Sequence, residues 1–101
     1  MRVLVVEDEN LLAEQIKQQL TQQQFSVDVA HDGDDGWFKL TEYPYDLAVI
    51  DLGLPKMDGL SLIRKARQQD VKTPIIILTA RGSWQEKVEG LDAGADALRT
   101  V

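Results

Sequence analysis

Cysteine is absent from the 101 residues. That excludes disulfides, thiolate nucleophiles and zinc–thiolate sites, and it fits a reducing compartment, with the cytoplasm as the expectation. Positive charge is scarce: 11 Lys and Arg stand against 17 Asp and Glu, for a formal net charge of −6 and a pI near 4.6. Such a chain is repelled by phosphate backbones and anionic lipid, so direct nucleic-acid or membrane binding is not expected of it. Long apolar runs are missing too. The first, Val3 to Val6, is too short for a signal-peptide core and runs straight into acids, and none approaches a membrane span. There is no internal repeat, low-complexity tract or linker. What remains, 44% hydrophobic and 28% charged, is the composition of one globular domain with a single core.

Four short apolar runs rich in β-branched residues recur: "VLVVE" from Val3, "FSVDVA" from Phe25, "DLAVID" from Asp46 and "PIIILTA" from Pro74, with "ALRTV" a weaker fifth. Helical periods lie between them. Leu12, Ile16 and Leu20 form one stripe, Leu60, Leu62, Ile63 and Ala66 another, and Trp84, Val88, Leu91 and Ala95 a third, while Gly36, Trp37 and Leu40 mark a shorter one. Asp58 stands as N-cap of the third helix, and Ser83 with Glu86 forms a capping box for the fourth. Alternation of this kind predicts an α/β fold, a parallel five-stranded sheet of flavodoxin type in the order 2-1-3-4-5, with helices on both faces. The continuous runs "VLVV", "LAVI" and "IIIL" suit central strands buried on both sides, and the interleaved Ser26 and Asp28 suit an edge.

In such a sheet ligands bind at the carboxyl ends of the strands. The first strand ends in Glu7 and Asp8, the third in Asp51 and the fourth in Thr79. Three carboxylates brought together raise one another's pKa unless a cation neutralises them, and a hard divalent ion with a preference for oxygen, magnesium above all, is the natural partner. Asp51 is then placed to act as a nucleophile toward a phosphoryl group, Thr79 to hydrogen-bond a phosphoryl oxygen, and Gly53 to let the backbone turn so that its carbonyl faces the metal. Simpler readings stand beside these. Glu7 and Asp8 could serve only the start of the first helix, and Thr79 could merely end a strand. His31 reads as exposed rather than as a ligand, and Lys87, Glu89 and Asp96 read as solvated charges.

Taken together, "VVEDE", "VIDLGLPKMDGL", "ILTAR" and "GLDAGAD" resemble the receiver domain of bacterial two-component response regulators, whose fold is CheY-like. "MRVLVVED", "DLGLP", "DGLSLIR" and "LTARGSWQEKVE" look most like the PhoP-type branch of the OmpR/PhoB class. The resemblance covers Met1 to about Asp96. It implies that Asp51 is the phosphoacceptor, that Asp8 and the Gly53 carbonyl are magnesium ligands, that Glu7 holds metal-bound water, and that Thr79 is the switch hydroxyl. It also implies a sensor histidine kinase as partner, no enzyme activity beyond self-phosphorylation and autodephosphorylation, and a DNA-binding effector domain in a parent protein.

The tail departs from the family. Where the family has an aromatic switch residue and then a lysine, this sequence has Leu98 and Val101, and the family's fifth helix has no counterpart within residues 1–101, which read as a receiver domain truncated at its C-terminal end without an effector domain. With right-handed crossovers, helix one covers one sheet face and helices two to four the other. Apolar residues of strands three to five are therefore expected to lie uncovered beside helix one, a patch that favours self-association or strand exchange. The alternatives carried forward are a non-signalling pseudo-receiver or interaction scaffold, because the lysine and aromatic are absent, and a haloacid-dehalogenase-type phosphohydrolase. The latter wants a second acid two residues after the nucleophile, where Gly53 stands.

Overall fold

A computed structural model describes residues 1–79 and 84–100, with the backbone alone described for residues 79, 84, 86, 87 and 98–100. The elements alternate throughout: β1 (Arg2–Val6), α1 (Asn10–Gln22), β2 (Ser26–Ala30), α2 (Gly33–Glu42), β3 (Leu47–Ile50), α3 (Gly59–Gln68), β4 (Ile75–Thr79), α4 (Trp84–Ala93) and β5 (Ala97–Thr100). All neighbouring strands are parallel and lie in the order β2-β1-β3-β4-β5. β2 is thus an edge strand, as its interleaved polar residues led one to expect.

Each face of the sheet buries its own cluster. On one side Leu4, Val6, Ala48, Ile50, Ile75 and Ile77 pack with Leu40 of α2 and with Leu62, Ile63 and Ala66 of α3. On the other, Val3, Val5 and Val49 meet Ile16 and Leu20 of α1, with Leu78 at the margin. Burying a side chain of this size contributes roughly 1.5–3 kcal/mol, so the two clusters dominate the stability. Beside α1, the residues Ile16, Gln19, Leu20, Leu47, Val49, Ile76 and Leu78 line an open, mainly apolar groove of about 230 Å³. It lies on the part of the expected patch that strands three and four contribute; the side chains of residues 98–100 in strand five are outside the described residues.

Caps fix where helices begin. Asp58 accepts from the Ser61 amide at 2.8 Å, as expected for α3. Asp32 does the same for α2 through the Asp35 amide at 2.7 Å. That cap escapes a hydrophobicity-based reading, and α2 is consequently as long as α3 and α4, at 10 residues each, rather than shorter. The proposed capping box of α4 lies outside the described residues, since Ser83 is not described and Glu86 is described by its backbone alone.

Two expectations need correction. The apolar stripe of α4 is only partly a buried one: Val88 and Leu91 are exposed, Ala95 packs against the core but lies beyond the helix, and the side chain of Trp84 is outside the described residues. The helix approaches the sheet through Gly90 instead, where a Cβ would lie 2.2 Å from Ile77 Cδ1. Asp96 is likewise no idle surface charge. Its Oδ2 accepts from Arg67 Nη2 at 2.9 Å and from the Ile75 amide at 2.8 Å. Arg67 in turn donates to the carbonyls of Gly94, Val71 and Thr73 at 2.7–3.0 Å, tying α3 to the chain segments entering β4 and β5.

Candidate functional site

The site grows out of strand register. Val6 pairs with Ile50 across β1 and β3, so the residues that follow, Glu7 and Asp51, emerge side by side at the carboxyl ends of the two strands. Both remain held in the ladder after the strands formally end: the Glu7 amide donates to the Ala30 carbonyl at 2.9 Å, and the Asp51 amide donates to the Val6 carbonyl at 3.0 Å. Their positions are therefore set by sheet hydrogen bonds rather than by mobile loops.

Carboxylate oxygens of Glu7, Asp8 and Asp51 lie within 4.8 Å of one another. Glu7 and Asp51 are each only 3% exposed, while Asp8 is half-buried. Burial above all pushes the Glu7 carboxyl up to about 8; the Glu9 amide opposes the shift, and the neighbouring Asp8 and Asp51 add to it. The expectation of mutually raised pKa values thus holds in direction for Glu7, but desolvation outweighs repulsion as its cause.

Local backbone contacts shape the cluster further. Glu7 Oε2 accepts from the Glu9 amide at 3.1 Å, and the Gly53 amide donates to Asp51 Oδ1 at 3.3 Å. Glu9 occupies the N-cap position of α1 with no side-chain cap hydrogen bond, no acid lies in that helix's first turn, and Glu7 meets the helix start through the Glu9 amide. Gly59 lets the start of α3 come close to the same strand end, since a Cβ there would lie 2.3 Å from the Asp51 carbonyl oxygen.

The remaining expected residues are placed as follows. Thr79 ends β4, aligned with Thr100 of β5, and its side chain lies outside the described residues. Leu98 and Arg99 are described by backbone alone, and Val101 not at all. His31 is exposed, with Nδ1 3.1 Å from the Glu7 carbonyl oxygen, and does not enter the carboxylate group. Sequence reasoning missed Asp32, which caps α2 and faces Lys56 Nζ at 3.5 Å. The signal was available in the spacing of Asp32 to Asp35, obscured by the glycines of "HDGDDG".

Three carboxyl groups, two of them buried, offer only oxygen donors, which suit a hard divalent cation and offer nothing to a soft one. No described helix is long and apolar enough to cross a membrane.

Comparison with known proteins gives a consistent picture. The family model described as "Response regulator receiver domain" matches residues 3–98. The two-component response regulator PhoP of Pseudomonas aeruginosa is 55% identical over 96 residues, covering 95% of this chain and 43% of that protein. The transcriptional regulatory protein PhoP of Escherichia coli is 54% identical over the same length and shares. The chain therefore spans less than half the length of these curated relatives. Among solved structures, the receiver domain of the Francisella response regulator 1452 superposes with a TM-score of 0.91 at 38% identity, over 98% of this chain and 82% of that one. The BeF3-activated receiver domain of Klebsiella pneumoniae RstA gives 0.93 at 28% identity, over 99% and 85%.

Proposed function

The chain belongs to the response regulator receiver domain family, and from that membership we propose that Asp51 accepts a phosphoryl group from the phosphohistidine of a sensor kinase. The observation that carries this reading is the convergence of Glu7, Asp8 and Asp51 at the ends of adjacent strands. In the reaction a carboxylate oxygen of Asp51 bonds to phosphorus while the phosphorus–nitrogen bond of the donor breaks and the imidazole leaves, giving an aspartyl phosphate. The Gly53 amide, donating to Oδ1, restrains the carboxylate as it attacks. Magnesium would be held by Asp8, Asp51 and the Gly53 carbonyl, with Glu7 acting through a water, and when bound it offsets charge on the transferred group. Thr79, at the next strand end, would hydrogen-bond a phosphoryl oxygen.

Phosphorylation would act as a signal rather than as turnover, passed on by a PhoP-like parent protein through a DNA-binding effector domain beyond the part matched here. The kinase and the cytoplasmic setting belong to the same proposal. A second reading, a folded scaffold that no longer signals, is favoured by one feature: Leu98 and Val101 stand where the family has its aromatic and lysine. Intact mass after incubation with acetyl phosphate and magnesium separates the two. Gain of one phosphoryl group in the wild type and none in Asp51→Asn supports the acceptor; no gain in folded wild type supports the scaffold.

A further inference from the structure

The loop that leaves Asp51 is held by a contact that the acceptor chemistry does not itself use. Gly33, the first residue of α2, lies so near this loop that a Cβ built on it would sit 1.8 Å from the Met57 carbonyl oxygen and 2.6 Å from Met57 Cβ. Its amide donates to the Pro55 carbonyl at 3.3 Å. Between those two loop residues Lys56 adopts a φ of 67°, where the chain doubles back, and its Nζ faces Asp32 Oδ2 at 3.5 Å. Three successive loop residues thus touch the first two residues at the start of α2. The other end of the loop is fixed by the Gly59 amide, which donates to the Leu52 carbonyl at 3.0 Å. Between the two anchors run the buried Leu52 and Leu54, and Gly53, whose amide donates to Asp51 Oδ1.

We propose that Gly33, seconded by the Asp32–Lys56 pair, is a positioning residue for the acceptor site: its missing side chain lets the start of α2 set the placement of loop 52–58, and through it of Gly53 against the Asp51 carboxylate. The inference rests on the reading of Asp51 and Gly53 as magnesium ligands. An alanine at 33 would have to open the gap from 1.8 Å to at least the 3.0 Å that real Cβ atoms keep. Both partners in the clash are backbone-borne, so the loop or the helix start must move as a unit. Displacing the groups that orient metal ligands costs about 10- to 100-fold in metal affinity.

The control lies one helical turn away. Gly36 is buried in the same helix, but a Cβ there would meet the side chains of Val6 at 2.9 Å and Leu62 at 3.3 Å, on the core side and away from the loop. Magnesium affinity by isothermal titration calorimetry would be compared in the wild type, Gly33→Ala and Gly36→Ala, at a temperature where circular dichroism shows each to be folded. The expected result is wild-type affinity in Gly36→Ala, whatever its melting temperature, and affinity about tenfold lower or worse in Gly33→Ala. Equal affinities in the two variants would overturn the proposal. Asp32→Asn retains a capping side chain while removing the charge that faces Lys56, and it should weaken binding about threefold. If Gly33→Ala does not fold, Asp32→Asn decides, and unchanged affinity there overturns the proposal. Wild type that binds no magnesium would instead refute the metal-site reading itself, and this inference with it.

Discussion

Replacing Glu7 with glutamine should stabilise the metal-free chain at neutral and alkaline pH and blunt its response to magnesium. Glu7 is 3% exposed, and its carboxyl is pushed from 4.5 up to about 8, chiefly by burial. A folded-state pKa above the unfolded value means that the unfolded chain sheds its proton first as pH rises. Glu7 therefore costs nothing below about pH 4.5, costs progressively more up to about pH 8, and costs a constant amount above that. Glutamine fills nearly the same volume and keeps an oxygen to accept from the Glu9 amide, which donates to Glu7 at 3.1 Å. It removes the charge but still buries an amide, so the gain at pH 8 should be about 2 kcal/mol rather than the whole linkage interval. For a domain of this size that corresponds to roughly 10 °C in melting temperature. The amide offset is independent of pH, so thermal melts in chelator-containing buffer at pH 4, 6 and 8 would show the variant less stable than the wild type by about 2 kcal/mol at pH 4 and more stable by about as much at pH 8, the difference changing sign between them. Magnesium should then narrow the gap, because the variant keeps Asp8, Asp51 and the Gly53 carbonyl but, binding about tenfold more weakly, gains about 1.4 kcal/mol less than the wild type at the same saturating ion concentration. A difference that is independent of pH, or that favours the glutamine variant most at pH 4, would refute the reasoning.

Other perturbations probe the rest of the structure. Tyr45→Phe removes the hydroxyl that donates to Asp28 Oδ2 at 2.7 Å, and should cost about 1 kcal/mol at pH 7 by urea unfolding. That hydroxyl, followed by Arg2, holds the Asp28 carboxyl below its ordinary 3.8, so the contribution is full above that value and the difference between the proteins should shrink as pH falls through the depressed one; a difference that grows on acidification would contradict it. Arg67→Ala should cost about 2–4 kcal/mol, and Arg67→Lys should recover only part, because a single ammonium cannot reach four acceptors spread over Gly94, Val71, Thr73 and Asp96; full rescue by lysine would count against this. The apolar groove beside α1 should bind a hydrophobic reporter dye when residues 1–101 are folded, with Leu20→Gln reducing the fluorescence; no enhancement over buffer would argue that the groove is closed in solution.

Sequence pattern carried far in some places and failed in others for identifiable reasons. Strand runs such as "LAVI" are read easily because both faces of a central parallel strand are buried, and their ends place Glu7, Asp8 and Asp51 together once the strand order is known. The cap that Asp32 makes is local, but the contacts of Asp32 with Lys56 and of Gly33 with Met57 were hard to read because they depend on a loop more than 20 residues away, which no local period reports. The buried side of α4 was misjudged because the helix comes close through Gly90, so small residues face the sheet while Val88 and Leu91 point outward. A stripe weighted by hydrophobicity favours Val88 and Leu91 there over Gly90 and Ala93. Asp28 and Asp96 looked like ordinary surface acids, and only tertiary structure supplies Tyr45 and Arg2 for one and Arg67 for the other.

The central claim is that Asp51 is the residue phosphorylated, and borohydride reduction tests it most directly. An acyl phosphate on aspartate is reduced to homoserine, so the chain treated with acetyl phosphate and magnesium, then reduced and digested, should carry homoserine at position 51 alone, and only when magnesium is present. Homoserine at Asp8 or another acid, or phosphate retained as a borohydride-resistant ester on a serine or threonine, would contradict the account.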